Sequence, residues 1–337
     1  MSLNSDLGSV VKAAGNNLDK SFSKKRQQHM RWASLLVQNV FELLDKVLIL
    51  PRRLVLDTPG VQASVPLLRG VWGAALHELD QQAYEQVFET QGQREKGIAL
   101  SPPGYVLRPA PPDPNLWPAV DWILVGATAI EYDEVLRRAW DVASGMGLGP
   151  QRRRFFIRRT IWLGPDEQPM VWPSAWPLGL ARWPFDSPER TPCRLVFRAP
   201  LRLLRRKRLI EQPTLTDLVV AAVRRVTPFL SKPLREQWQE LGQELIEQSR
   251  RIKCSKGIWE RLDFQRYSGR QRQRIELRGV EGWLELPKGP GPLWPLLNVC
   301  RWLHVGKGTV FGLGQLWVEP LEVSHEKAEQ LVGTPRT

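Results

Sequence analysis

Cysteine is scarce in this 337-residue chain: Cys193, Cys254 and Cys300 are the whole supply. An odd number, far apart, gives neither a disulfide framework nor a Cys-x-x-Cys metal pair, and a reducing compartment is the simplest setting. Histidine is limited to His29, His77, His304 and His325. No Cys/His/Asp spacing builds a metal site, and no cofactor is expected. A long apolar run is missing too. The most apolar stretch, 32–50, is interrupted by Glu42, Asp45 and Lys46, so it does not read as a membrane span. The opening Met1-Ser2-Leu3-Asn4 lacks the basic and apolar regions of a secretory signal. A cytoplasmic protein with no membrane partner is expected.

Acidic charge is also short, at 35 residues against 48 Lys and Arg, a net +13. The excess is local. Residues 151–160 and 201–210 each hold five basic and no acidic residues, and 251–280 hold nine basic against three acidic. The remaining 287 residues carry −3. Clusters of this kind usually make solvated surface, but three on an otherwise faintly acidic chain favour a polyanion partner, nucleic acid above all. With 42% hydrophobic residues the chain can bury real cores, which excludes wholesale disorder. Its length suggests two domains, at roughly 150 residues each.

Residues 1–30 read as a polar arm. Trp32, Leu35, Leu36, Val40, Leu43, Leu44 and Val47 repeat at helical spacing, predicting an amphipathic helix over 32–48, stopped by Pro51. A strand at 52–57, a helix from Pro66, strands near 104–108 and 121–130, a helix at 132–143 and a strand at 154–163 give the order β-α-β-β-α-β. Residues 164–190 hold six prolines with Trp172, Trp176 and Trp183 and read as an ordered linker. Strand 194–199, helices 214–230 and 233–250, strands 258–267 and 275–286, a helix at 293–303 and a strand at 309–318 repeat that order with one added helix. The expected fold is α+β: two tandem ferredoxin-like domains, 51–163 and 191–320. Residues 1–50 form an amino-terminal extension, 164–190 the linker and 321–337 a tail.

The sharpest local feature is His304-Val305-Gly306-Lys307-Gly308-Thr309-Val310-Phe311-Gly312-Leu313-Gly314. Glycine at 306, 308, 312 and 314 permits close approach of another backbone, and the amides can bond phosphate oxygens. A connecting turn would need only one or two glycines. Lys307 is followed by glycine rather than Ser or Thr, so this is not a Walker A loop. The expected order of helix, loop, strand also excludes a Rossmann loop.

This segment resembles the carboxy-terminal signature of the CRISPR precursor-RNA processing endoribonucleases of the RAMP superfamily. Pro66-Leu67-Leu68-Arg69-Gly70-Val71-Trp72-Gly73 is similar to an early motif of the same branch. Tyr267-Ser268-Gly269-Arg270-Gln271, running on to Gly279 and Gly282, is similar to another. The resemblance covers about 52–320. It implies cleavage of repeat RNA without metal: the 2′-hydroxyl attacks the adjacent phosphate, leaving a 2′,3′-cyclic phosphate and a 5′-hydroxyl. That reaction needs a base, an acid and a cation for the transition state.

On the resemblance, His304 is the first candidate for general base or acid, with Lys307 as the cation. His77 is the rival, on the first domain's helix. Tyr267 and Arg270 are weaker candidates. A helix-terminal histidine capping carbonyls is the structural alternative for His304. For RNA binding, Arg266, Arg270, Arg272 and Arg274 recur at even positions of an extended segment and are expected to share a face. Arg152, Arg153 and Arg154 stand beside Phe155 and Phe156, and Arg205 and Arg206 form the third group. The expected partners are CRISPR repeat RNA, the mature guide RNA retained after cleavage, and subunits of a CRISPR effector complex. A non-catalytic RAMP subunit that only binds guide RNA is the alternative from another class.

Overall fold

The computed structural model describes residues 33–58, 63–89, 102–171, 177–180, 191–255, 257–268 and 273–321. The described residues build two main sheets with the same internal order. Helix α1 (33–44) comes first, then β1 (Leu48–Asp57), α2 (Val65–Leu79), β2 (Tyr105–Ala110), β3 (Ala119–Val125), α3 (Asp133–Met146) and β4 (Phe156–Leu163). Their sheet runs β2-β3-β1-β4, antiparallel throughout. The second unit has β5 (Cys193–Leu201), α4 (Leu215–Val226), α5 (Lys232–Arg251), β6 (Gly257–Ser268), β7 (Gln273–Leu286), α6 (Trp294–Leu303) and β8 (Leu316–Pro320). Its sheet runs β6-β7-β5-β8, again antiparallel. The tandem ferredoxin-like fold is therefore present, with α5 as the added helix.

The first unit's helix side is aromatic. Trp72 of α2 stacks on Trp140 of α3 at 5.1 Å and meets Trp122 of β3 edge-on at 5.7 Å. Its indole N–H donates to the Leu136 carbonyl at 3.1 Å, so the buried ring leaves no polar atom stranded. The opposite face of this sheet contributes Val106, Ile123 and Val125 to an apolar cluster shared with α1 and with Leu296, Leu297 and Trp302 of α6. Helix α1 thus packs between the two units, with Phe41 edge-on to Trp294 at 5.0 Å.

Several sequence expectations shift at their boundaries. Helix α1 ends at residue 44, not 48, because Leu48, Ile49 and Leu50 are claimed by the ladder with β3 and by the short strand Leu178–Gly179. Pro51 does not stop a helix but sits inside β1, opposite Ile123. It falls between the end of the Leu178–Gly179 pairing and the start of β4 at Arg52, so one side of β1 has no ladder partner there. The last strand is Leu316–Pro320, since Thr309–Phe311 form a single 3-10 turn. Most of the Trp/Pro-rich linker, 172–176 and 181–190, lies outside the described residues, as do His29 and His325.

Candidate active site

The glycine-rich loop begins where α6 ends. Two buried arginines hold that end: Arg108 of β2 donates Nη1 to the Arg301 carbonyl at 2.7 Å, and Arg225 of α4 donates Nε to the Leu303 carbonyl at 2.9 Å. Cations suit a helix carboxy terminus, where unpaired carbonyls concentrate negative potential. Arg108 also pairs with Asp121 at 3.0 Å and Glu167 at 3.1 Å, which binds the first sheet to the loop's root.

His304 then turns the chain with φ +56°, a left-handed conformation that costs a non-glycine residue energy. Its ring is fully buried, and Nδ1 lies 3.0 Å from the Leu313 carbonyl, closing the loop on itself. A nitrogen facing a carbonyl must carry the proton, so Nε2 is the bare acceptor; no hydrogen-bond partner reaches it among the described residues. Burial, and then the charge of Arg108, drives the His304 pKa well below the ordinary histidine value. The ring is neutral and out of contact with water. Lys307, three residues on, is exposed.

Glycines 306, 308, 312 and 314 all have positive φ. At three of them the chain's own backbone explains the choice. A Cβ on Gly306 would meet the Arg202 carbonyl at 2.6 Å, one on Gly314 the Val305 carbonyl at 1.9 Å, and one on Gly312 the backbone of Leu107 and Arg108 in β2 at 3.1 Å. The amides of Val305, Lys307, Phe311, Gly312, Leu313 and Gly314 donate to backbone carbonyls. The glycine economy that suggested a phosphate cradle thus has a second account. These residues let the loop fold tightly against both units, and it then presents Lys307 outward.

The facing wall is α2. Its buried side is Val65, Leu68, Trp72, Ala75 and Leu76, which leaves Arg69 half-buried and His77 exposed. Gly73 has to be small: a Cβ there would lie 2.2 Å from the Phe88 ring. Phe88 closes the π-helical turn Tyr84–Phe88, which packs back on α2. A continuous row of rings and cation results. His77 meets Tyr84 edge-on at 5.0 Å, Tyr84 stacks on Phe88 at 5.1 Å, and the Arg69 guanidinium lies 4.2 Å over Phe88 and 4.9 Å over Phe311 of the loop. The rival histidine and the glycine-rich loop are therefore joined by one row of side-chain contacts that passes through buried Phe88. Arg69, quoted in the sequence only within a motif, joins them.

The basic clusters fall in three places. Arg205 and Arg206 lie on a small hairpin, Leu204–Arg205 with Arg208–Leu209, whose tip residues Arg206 and Lys207 have φ of +49° and +67°. This hairpin is rooted on the loop, because the Lys307 amide donates to the Arg202 carbonyl at 2.9 Å. Arg205 is held by Asp217 at 2.5 Å. Arg152, Arg153 and Arg154 are exposed; of their neighbours Phe155 is core and Phe156 is 56% exposed. In the third cluster, 269–272, with Arg270 and Arg272, lie outside the described residues. The ladder pairs Arg266 with Ile275 and Tyr267 with Arg274. Facing partners share a side, so positions 266 and 274 fall on opposite faces. No group of His, Cys, Asp and Glu among the described residues could hold a metal ion.

Comparison with known proteins follows the same boundaries. Residues 195–316 match the family of the CRISPR-associated endoribonuclease Cas6. Over that span the match bears out the family resemblance drawn from the motifs. A solved Cas6 product complex from Thermus thermophilus is similar with a TM-score of 0.53 and 15% identity, covering 80% of this chain and 99% of that one. This likeness extends the fold over the first unit. A second Cas6 product complex gives 0.49 and 17% over 81% of this chain and 99% of that one. A partial Cas6-RT-Cas1–Cas2 complex gives 0.47 and 13% over 82% and 47%. No curated protein matches. No described helix is long and apolar enough to cross a membrane.

Proposed function

We propose that the protein is an endoribonuclease that cuts precursor CRISPR RNA within its repeats and keeps the product as guide RNA. The observation that carries this reading is the surface on which α2 meets the glycine-rich loop, in a chain whose second unit matches the Cas6 family. His77, exposed at one end, can exchange a proton with the 2′-hydroxyl or the leaving 5′-oxygen. Lys307 supplies positive charge at the other end. His304, the first candidate from the sequence, is better suited to holding the loop, because a buried neutral ring with one nitrogen committed to Leu313 has no route to relay protons.

The reaction uses RNA's own nucleophile and needs no metal. The 2′-oxygen bonds to phosphorus as its proton leaves, and the bond from phosphorus to the 5′-oxygen breaks as that oxygen takes a proton. The test is repeat RNA, read from the DNA beside the gene, incubated with the protein in EDTA. Products ending in 2′,3′-cyclic phosphate support the reading; activity that appears only with magnesium defeats the mechanism. The burial of His304 favours a second reading, a RAMP subunit that binds guide RNA without cutting. RNA bound but intact in the same experiment would establish it.

A further inference from the structure

The three buried arginines are each matched: Arg52 forks onto Asp133 at 2.5 Å, Arg108 pairs with Asp121 and Glu167, and Arg225 donates to the Leu303 carbonyl. Arg69 is different. Like Arg52, Arg108 and Arg225 it keeps one buried nitrogen without a hydrogen-bond partner, at Nε, but among the described residues no carboxylate reaches the Arg69 guanidinium and it caps no carbonyl. What surrounds the group is aromatic: Phe88 at 4.2 Å, Phe311 at 4.9 Å, Tyr105 at 5.9 Å. The Tyr105 phenol beside it is itself buried and held protonated. Rings stabilise a cation over their faces but do not satisfy its N–H edges, for which the neutral Tyr105 hydroxyl is the one side-chain acceptor nearby among the described residues. A half-desolvated cation without a counter-ion gains more from an arriving anion than a hydrated one does.

The geometry points to Arg69 as a phosphate-binding residue that fixes the RNA backbone across α2, between His77 and the loop. A guanidinium clamped between Phe88 and Phe311 is pre-oriented, so little side-chain freedom is lost when it forks onto a phosphate. Phe311 comes from the glycine-rich loop and Phe88 from the turn packed on α2, so Arg69 is held by both walls at once. It acts as a positioning residue, setting where the backbone lies relative to His77. That the ligand is RNA rests on the endoribonuclease reading; the anion site itself does not.

Binding and cleavage are measured separately. Binding uses repeat RNA with every 2′-hydroxyl methylated, which keeps all phosphates but has no nucleophile. For Arg69→Ala the slope of log affinity against log salt should become less negative by about 0.7, one phosphate contact. Cleavage of ordinary repeat RNA at saturating protein should slow by ~10²-fold through misplacement of the backbone. Arg69→Lys should restore the slope but only part of the rate, since a point charge lacks the fork. A parent-like slope with a lowered melting temperature, or a parent-like slope and rate together, would overturn the assignment. Should the parent protein bind but not cut, the endoribonuclease reading fails, while the salt slope still decides for or against Arg69.

Discussion

His304 and His77 are the two described histidines with a claim on the chemistry, and the fold treats them in opposite ways. His304 ends α6, inside a shell that holds Arg108 and Arg225, and spends its one donor on the Leu313 carbonyl. His77 stands on the open side of α2 against only the edge of Tyr84. The loop signature made His304 the stronger candidate in the sequence, because it precedes the glycines. Adjacency along the chain did not carry over to access. A tight loop needs an anchor at its root, and the residue nearest the signature was used as that anchor.

The widest gap between the two should appear in rate. His77→Ala is expected to slow single-turnover cleavage by on the order of 10²–10⁴, the usual cost of losing a proton-transfer group, with affinity little changed. His304→Ala should act first on folding, since it leaves the Leu313 carbonyl unpaired in the interior, at a cost of ~1–3 kcal/mol. Urea unfolding measures that loss, and at saturating protein the variant that remains folded should still cut. If folded His304→Ala fails to cut and His77→Ala cuts at the parent rate, the comparison reverses and the site returns to the loop.

Arg108 tests the anchoring side of the same contrast. It pairs with Asp121 and Glu167 and bonds the Arg301 carbonyl, all in the interior. Asp121 would keep Arg53, at 2.7 Å, but Glu167 would lose its nearer cation. Removing one partner of a buried ion pair typically costs ~3–5 kcal/mol. Arg108→Ala should therefore lose stability on that scale in urea. A loss below 1 kcal/mol would show that the two units are held by apolar packing alone.

Acid sharpens the contrast further. A buried histidine whose pKa is depressed binds no proton when folded but takes one when unfolded, once the pH drops below its ordinary value. Its contribution to stability is intact above about pH 6.5 and is lost as the pH falls, with a slope of at most ~1.4 kcal/mol per pH unit. Unfolding measured between pH 7.5 and pH 5 should show this slope in the parent and a flatter one in His304→Asn. The measurement tests the burial of His304 without any RNA.

What could be read in advance follows from where each signal resides. Hydrophobic spacing gave α1 and α3, proline in a first turn gave α2, and the alternation of β7 was visible despite Gly279 and Gly282, because faces buried in sheets and helices leave periodic marks. The β-α-β-β-α-β order was therefore legible twice. Pro51 was misread because proline stops helices and strands alike, and only the ladder partners show that β1 has an empty side at that residue. The shared face expected for positions 266 and 274 was misread for a related reason: parity holds along one strand, whereas the register of β6 with β7 resets it. Arg108 and Arg225 left no signal at all. A buried arginine on an apolar element looks like any surface cation until the carbonyl it caps is known.

The smallest effect expected is at the tip of the basic hairpin, where stability and binding should move in opposite directions. Arg206 and Lys207 both adopt the left-handed turn conformation that two-residue hairpins require and that Gly or Asn usually supplies. For a residue with a Cβ that conformation costs ~1–2 kcal/mol, while glycine instead loses ~0.5–1 kcal/mol of backbone entropy on folding. Arg206→Gly should therefore leave stability unchanged or raise it by up to ~1 kcal/mol. The same change removes a cation from a hairpin rooted on the glycine-rich loop, so the salt slope of repeat-RNA binding should fall by about 0.7 for that contact. A more stable variant with weaker, less salt-dependent binding would mean that strain is retained at the tip for its charge. A variant that is more stable and binds RNA as the parent does would show that Arg206 points to solvent in the complex, leaving Lys307 and the α2 surface to hold the backbone.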